Sequence, residues 1–152
     1  LVHDPDIHLV IAGSARDVDP QDLIESLVEP SVQNQIHLHH RYISDQERDS
    51  WFKACDALVI PYRRIYNSGV LMMALSYGKT VIASDLPANR EIIQNGGNGY
   101  LFENGNAHDL AQNILRLKNA SNRPTFEAIM NPLRTNHSWD LMAQQMKPFL
   151  GR

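Results

Sequence analysis

The sequence predicts an α/β fold: a doubly wound parallel sheet with helices on both faces. Short apolar runs such as Ile7-His8-Leu9-Val10-Ile11-Ala12-Gly13 and Asp56-Ala57-Leu58-Val59-Ile60-Pro61 read as strands covered on both sides. Between such runs lie segments with helical spacing that open on Asp-Pro or Ser, one of them ending at Gly78. The length, 152 residues with 43% hydrophobic and 20% charged, suits one domain over residues 1–152 that buries a substantial core.

In order, the run from Ile7 is the first strand, and its terminal glycine marks the exit. Asp19-Pro20 opens a helix, with Asp19 as cap and Pro20 at the first helical position, and Leu23, Ile24, Leu27 and Val28 repeat along it. Ile36-His37-Leu38-His39 is the second strand. Ser44 and Glu47 stand three apart, the spacing of a capping box, before a helix through Trp51-Phe52-Lys53-Ala54. The third strand begins at Asp56 and stops at Pro61; a helix then runs from near Ser68 to Gly78. Thr80-Val81-Ile82-Ala83-Ser84 is the fourth strand, and residues 87–94 suit a short helix before the turn Asn95-Gly96-Gly97-Asn98-Gly99. Tyr100-Leu101-Phe102 is a small strand, Asn106 or His108 begins another helix to Leu117, and the remainder reads as helical, ending with Trp139 to Leu150. Trp51-Phe52 and Met72-Met73 read as core or interface residues.

Composition excludes several functions. The net charge is −3 with Lys and Arg scattered, which opposes a nucleic-acid surface, since such binding needs massed cations. The one cysteine, Cys55, sits in an apolar stretch and reads as a small core residue in a reducing compartment. His37 and His39 share a strand face while His40 points away, and no acidic or thiol partner completes a ligand set, so no metal is expected. No apolar run reaches the roughly 18 residues that span a bilayer. The opening Leu1-Val2-His3-Asp4-Pro5-Asp6 is not a signal peptide and reads as the interior of a larger protein.

In doubly wound sheets ligands bind beyond the carboxyl ends of the strands. That singles out residues 13–19, 40–43 and 62–69. The third is the most informative: a strand stops at Pro61, passes Tyr62-Arg63-Arg64-Ile65-Tyr66-Asn67, and meets a helix start at Ser68-Gly69-Val70. Backbone N–H groups and the dipole there favour an anion, and Gly69 admits close approach of a phosphate. Ser68 adds a hydroxyl, and Arg63 or Arg64 a charged clamp. The same residues also read as a plain helix cap beside a solvated arginine pair. No Walker lysine motif and no Gly-x-Gly-x-x-Gly turn is present.

The ordered set of segments resembles the carboxy-terminal, Rossmann-like domain of the retaining GT-B glycosyltransferases of group 1, family four in the common classification. It includes Pro5 through Gly13, Val32 through Asp45, Ala54 through Pro61, Gly78-Lys79-Thr80-Val81-Ile82-Ala83-Ser84-Asp85, Arg90-Glu91-Ile92-Ile93, Asn98-Gly99-Tyr100-Leu101-Phe102 and His137-Ser138-Trp139. The resemblance implies that a nucleotide-diphosphate sugar, UDP- or GDP-linked, binds here for transfer with retention to a saccharide or lipid-linked acceptor. The acceptor would be held by an amino-terminal domain outside this chain. Cofactors are none: helix dipole and basic side chains replace a metal in neutralising the diphosphate. It places Tyr42 and Ile43 near the nucleobase, and the backbone of Ser68, Gly69 and Val70 on the distal phosphate. It further implies polysaccharide biosynthesis, a cytoplasmic location and peripheral association with the inner face of the plasma membrane.

The chain departs from that pattern. Two family glutamates, eight positions apart, fall on Ile65 and Met73 when registered on Gly78-Lys79. Losing the ribose contact at Met73 would weaken donor binding by roughly 1.5–3 kcal/mol. Tyr66, Asn67 or Glu91 would then meet the sugar. A first strand, a loop with a basic residue and a helix, which the family places before Leu1, are also missing, so the chain alone is expected to be inactive. The alternative is a non-catalytic module that kept the fold and lost the donor. An epimerase on a related frame is a further rival; a receiver domain fails because Asp56 begins its strand rather than ending it.

Overall fold

The computed structural model describes residues 4–14, 20–64 and 69–120, which divide into two compact units, Leu1–Trp51 and Phe52–Arg152. In the first unit, β1 (Leu9–Ala12) pairs in parallel with β2 (Ile36–His39), Leu9 opposite Ile36 and Ala12 opposite His39. Between them run α1 (Pro20–Leu27), with proline at its first position as predicted, and a single turn, α2 (Pro30–Gln33). The α2 turn was not anticipated; Pro30 opens it, and its four residues are too few to show a helical period. Gln35 ties the approaches to both strands together, its amide donating to the carbonyls of Asp4 (2.6 Å) and Ile7 (2.8 Å).

The expectation that the first strand is covered on both sides is corrected. Leu9, Val10 and Ile11 are 39%, 51% and 38% exposed. Among the described residues β1 has one strand neighbour, β2, so apolarity suited to a central strand stands open to solvent here.

α3 (Asp45–Ala54) leads out of the first unit and carries Phe52, the first core residue of the second. There β3 (Ala57–Ile60), β4 (Thr80–Ser84) and β5 (Gly99–Phe102) form a parallel sheet in that order. Every residue of the central β4 is buried. Its side chains alternate between two cores. Val81 and Ala83 join Ile60, Ile93 and the Leu71–Ala74 face of α4 (Gly69–Ser76); Ile82 joins Tyr100, Phe102 and Leu117 of α6 (Ala107–Asn119). Helices thus cover both faces of this sheet, as a doubly wound fold requires.

The helix predicted to end at Gly78 does so: Gly78 takes φ 66°, and its N–H donates to Leu75 O at 2.9 Å. The helix predicted over 87–94 is only α5 (Pro87–Arg90), because the buried Asn98 intervenes. Its side chain accepts from Gln94 N (2.7 Å) and donates to Ile92 O (2.9 Å), taking backbone groups that a longer helix would pair internally. The cap at Asp19 and the predicted helices beyond residue 120 lie outside the described residues.

Candidate functional site

The start of α4 sits after β3, at the carboxyl end of the second sheet, as predicted. Leu71, Ala74 and Leu75 are at most 2% exposed and anchor the helix, while Gly69 and Val70 at its first turn face outward. The first N–H groups of an α-helix have no acceptor within the helix, so this turn offers donors to an external group. Among the described residues, a Cβ built on Gly69 meets no heavy atom within 4 Å, which leaves room beside the backbone for a ligand.

Arg63 and Arg64 are both exposed in the bend leaving β3, and the Arg63 carbonyl accepts from Asn104 Nδ2 at 3.0 Å, fastening the loop to the β5–α6 turn. Met73 lies one turn into α4, half-buried against the core containing Val81 and Ala83. Glu91 is exposed at the carboxyl end of α5. Tyr66, Asn67 and Ser68, with Ile65, lie outside the described residues.

In the first unit, the turn after β2 carries Tyr42, 78% exposed, and the half-buried Ile43. The predicted capping box is present: Glu47 N donates to Ser44 Oγ and Ser44 N to Glu47 Oε2, each at 3.3 Å. Sequence reasoning missed its extension, in which Arg41 reaches the same carboxylate with Nη1 (3.0 Å) and Nη2 (2.5 Å). The Arg41 hydrogen bonds, with those from Ser44, hold the Glu47 carboxyl down at about 2. Only the charge opposition of two residues six apart hinted at this pairing.

A second missed pair lies past β4. Arg90 grips Asp85 through Nε (2.5 Å) and Nη2 (2.8 Å), and the hydrogen bond lowers the Asp85 pKa. Beneath it the fully buried Asn89 donates from Nδ2 to Ser84 O at 2.8 Å, fixing where the chain leaves β4.

The histidines go to different partners. His37 Nε2 lies 3.0 Å from His8 Nδ1, and the His39 ring is 4.7 Å from that of Trp51. Among the described residues no three His, Cys, Asp or Glu side chains gather as a metal would need. None of the described helices is long and apolar enough to cross a membrane. Cys55 is half-buried, and desolvation raises its thiol pKa, in keeping with a core residue.

Comparison with known proteins bears on the whole arrangement. A GDP-mannose:glycolipid 4-beta-D-mannosyltransferase of Xanthomonas campestris pv. campestris is 29% identical over 101 residues, covering 66% of this chain and 28% of that protein. The chain thus spans under a third of that relative's length. Among solved structures, the carboxy-terminal domain of a group 1 glycosyl transferase (LpcC) from Francisella tularensis is 26% identical, with TM-score 0.75, over 87% of this chain and 70% of that one. HepE from Anabaena, in complex with UDP, superposes with TM-score 0.77 at 18% identity, over 97% of this chain and 41% of that one. These neighbours have the GT-B fold, and the match to a carboxy-terminal domain agrees with the part of that fold expected here. Residues 1–119 match the family described as glycosyl transferases group 1, and the chain belongs to that family.

Proposed function

We propose that this chain is the donor-binding half of a glycosyltransferase that takes a sugar from a nucleoside diphosphate. The observation that carries the reading is the family match over residues 1–119, a span that contains the open helix start at Gly69. The backbone of Ser68, Gly69 and Val70 holds the distal phosphate, with Arg63 and Arg64 as the cationic side of the site. Helix dipole and arginine charge stand in for a metal ion as the diphosphate leaves. Tyr42 and Ile43 meet the base, and Tyr66, Asn67 and Glu91 are the candidates for sugar contacts in place of the glutamates replaced by Ile65 and Met73. The acceptor, a saccharide or lipid-linked saccharide, belongs to an amino-terminal domain, and the whole enzyme works in the cytoplasm at the inner face of the plasma membrane.

Both UDP and GDP suit a diphosphate site, and GDP is the first to test because the 29%-identical relative acts with GDP-mannose. Calorimetric titration of GDP and UDP into the chain is expected to give binding in the micromolar to low-millimolar range, about −4 to −8 kcal/mol. Silence at millimolar nucleotide, in this chain and in a version carrying the acceptor domain, would sink the reading. It would favour the second one, a module that kept the fold without the donor, for which Met73 is the supporting observation: it lies half-buried against the core where a ribose-binding carboxylate is expected.

Retention is the finer part of the proposal. With an α-configured donor, an α-linked product in the nuclear magnetic resonance (NMR) spectrum supports it. A β-linked product, the linkage printed in the name of the Xanthomonas relative, would mean inversion and overturn it.

A further inference from the structure

Three Asn-Gly pairs border or enter β5: Asn95-Gly96, Asn98-Gly99 and Asn104-Gly105. Such a pair can rearrange without any enzyme, because glycine has no Cβ to keep its nitrogen away from the preceding side-chain carbonyl. The glycine N attacks the asparagine Cγ and closes a succinimide ring, while the Cγ–Nδ2 bond breaks. The proton lost by the glycine N leaves with Nδ2 as ammonia. Water then opens the ring at one carbonyl or the other, leaving aspartate or isoaspartate and one added negative charge. The reaction needs a free amide nitrogen, a side chain that can swing, and access to water.

The three pairs differ in all of these. Asn98 is 2% exposed, and its Oδ1 and Nδ2 are both bonded, to Gln94 N and Ile92 O. Gly99 is packed so closely that a Cβ would stand 2.5 Å from Val81 O. Asn95 is exposed, but Gly96 N, the atom that must attack, donates to Gly99 O (2.8 Å), and Asn95 Oδ1 accepts from Leu101 N (3.1 Å). Asn104 and Gly105 are both exposed, at the apex of a turn closed by Asn106 N donating to Glu103 O (2.9 Å). Gly105 takes φ 82°. Among the described residues its N–H donates to no acceptor, and a Cβ built on it meets no heavy atom within 4 Å. The bond that restrains the Asn104 side chain runs from Nδ2 to Arg63 O at 3.0 Å.

That bond gives the rearrangement a consequence. Nδ2 is the group expelled, and the carboxylate left behind has no proton to give a carbonyl. The loop with Arg63 and Arg64 loses its tie to the β5–α6 turn, and a negative charge arises beside it. We propose that Asn104 is a site of spontaneous deamidation, favoured over Asn95 and Asn98, and that its conversion unlatches the Arg63–Arg64 loop. The loss of diphosphate affinity that follows rests on the donor-binding reading; the order of the three asparagines and the unlatching do not.

The test warms the full chain in neutral buffer for days and follows each asparagine by peptide mass spectrometry. Aspartate and isoaspartate are expected to accumulate first at position 104, several-fold faster than at 95, with 98 last. A urea-unfolded sample should level the three rates, since glycine follows in each case. Equal rates in the folded chain, or a lead by Asn95 or Asn98, would overturn the site. Asn104→Asp installs the charge of the product and should speed tryptic cleavage after Arg63 and Arg64, whereas Asn104→Gln, which still donates and cyclises far more slowly, should leave it at the native rate. Unchanged cleavage in Asn104→Asp would overturn the unlatching. The same variant should bind inorganic pyrophosphate roughly two- to tenfold more weakly than the native chain, the effect of one lost hydrogen bond, and equal binding would overturn the effect on affinity. If cleavage quickens while the native chain binds no pyrophosphate, the unlatching stands and the donor-binding reading falls.

Discussion

Gly69→Pro separates the phosphate site from the fold that carries it. Gly69 is the first residue of α4, where the N–H has no acceptor within the helix and the φ of proline is already suitable. Among the described residues nothing lies within 4 Å of a Cβ there, and the helix is held by Leu71, Ala74 and Leu75 further along. Stability should therefore stay within about 0.5 kcal/mol of the native chain. The substitution removes one N–H that the proposal directs at a diphosphate. A hydrogen bond to a charged group contributes roughly 1.5–3 kcal/mol, so GDP affinity should fall about 10- to 150-fold. Calorimetry with GDP reads the affinity, and a urea melt of the same sample reads the fold. Affinity within twofold of native, with an unchanged melt, would refute the placement of the phosphate at α4. A collapsed melt would refute the claim that this position is structurally open.

Gly99→Ala should act on the fold instead. A Cβ at Gly99 would stand 2.5 Å from Val81 O and 3.1 Å from Ile93 Cγ2, and the carbonyl belongs to its own ladder partner. Overpacking against backbone predicts a loss of roughly 1–3 kcal/mol in a urea melt; a loss under 0.5 would show that β5 slides aside easily. Lys79→Met removes the Nζ that caps the end of α3 at Lys53 O (2.8 Å) and Cys55 O (2.9 Å), and about 1–2 kcal/mol should go with it unless water replaces the ammonium. Glu47, held at about 2 against an ordinary 4.5, contributes stability that is complete above pH 4.5 and is lost as pH falls toward 2. Its carboxyl resonance should titrate near 2, and Arg41→Met should bring the midpoint back up; a native midpoint above 4 would dismiss the clamp.

Local patterns were legible in the sequence and distant pairings were not. The boundaries of β4, the Pro20 helix start, the Ser44–Glu47 box and the Gly78 stop all depend on residues within one turn of each other, and all stand where the spacing put them. Lys79 reaching back to α3, and Asn98 shortening α5, depend on where elements pack, which periodicity does not encode. The same limit governs the site. The helix start at Gly69 was readable because glycine after a buried strand has a backbone meaning. The Arg41–Glu47 pairing was not, since an arginine six residues before a glutamate has no helical or strand register to announce it. The exposure of β1 is the converse case: its apolar run predicts a strand covered on both sides, and among the described residues it has one strand neighbour and three exposed apolar side chains.

Met73 offers a way to test the register on which the missing glutamates were assigned. Residues 69 and 73 stand four apart on α4, so a side chain at 73 lies on the same helix face as the open space at Gly69 and leans back toward it. Methionine there gives up a charge and packs instead against the core beside Val81 and Ala83. Met73→Glu reverses the exchange. The carboxylate loses apolar contact, at roughly 1–2 kcal/mol of stability, and can extend toward the ribose hydroxyls of a bound nucleotide. Repulsion from the diphosphate offsets part of the charge-assisted bond, so the expected gain in GDP affinity is about three- to tenfold rather than the full strength of such a bond. A 2′,3′-dideoxy nucleotide should show no gain, because it lacks the acceptor's partner hydroxyls. Equal gains for both nucleotides would place position 73 away from the ribose, and the alignment of Ile65 and Met73 with the family's acidic pair would then be wrong by at least one residue of helix.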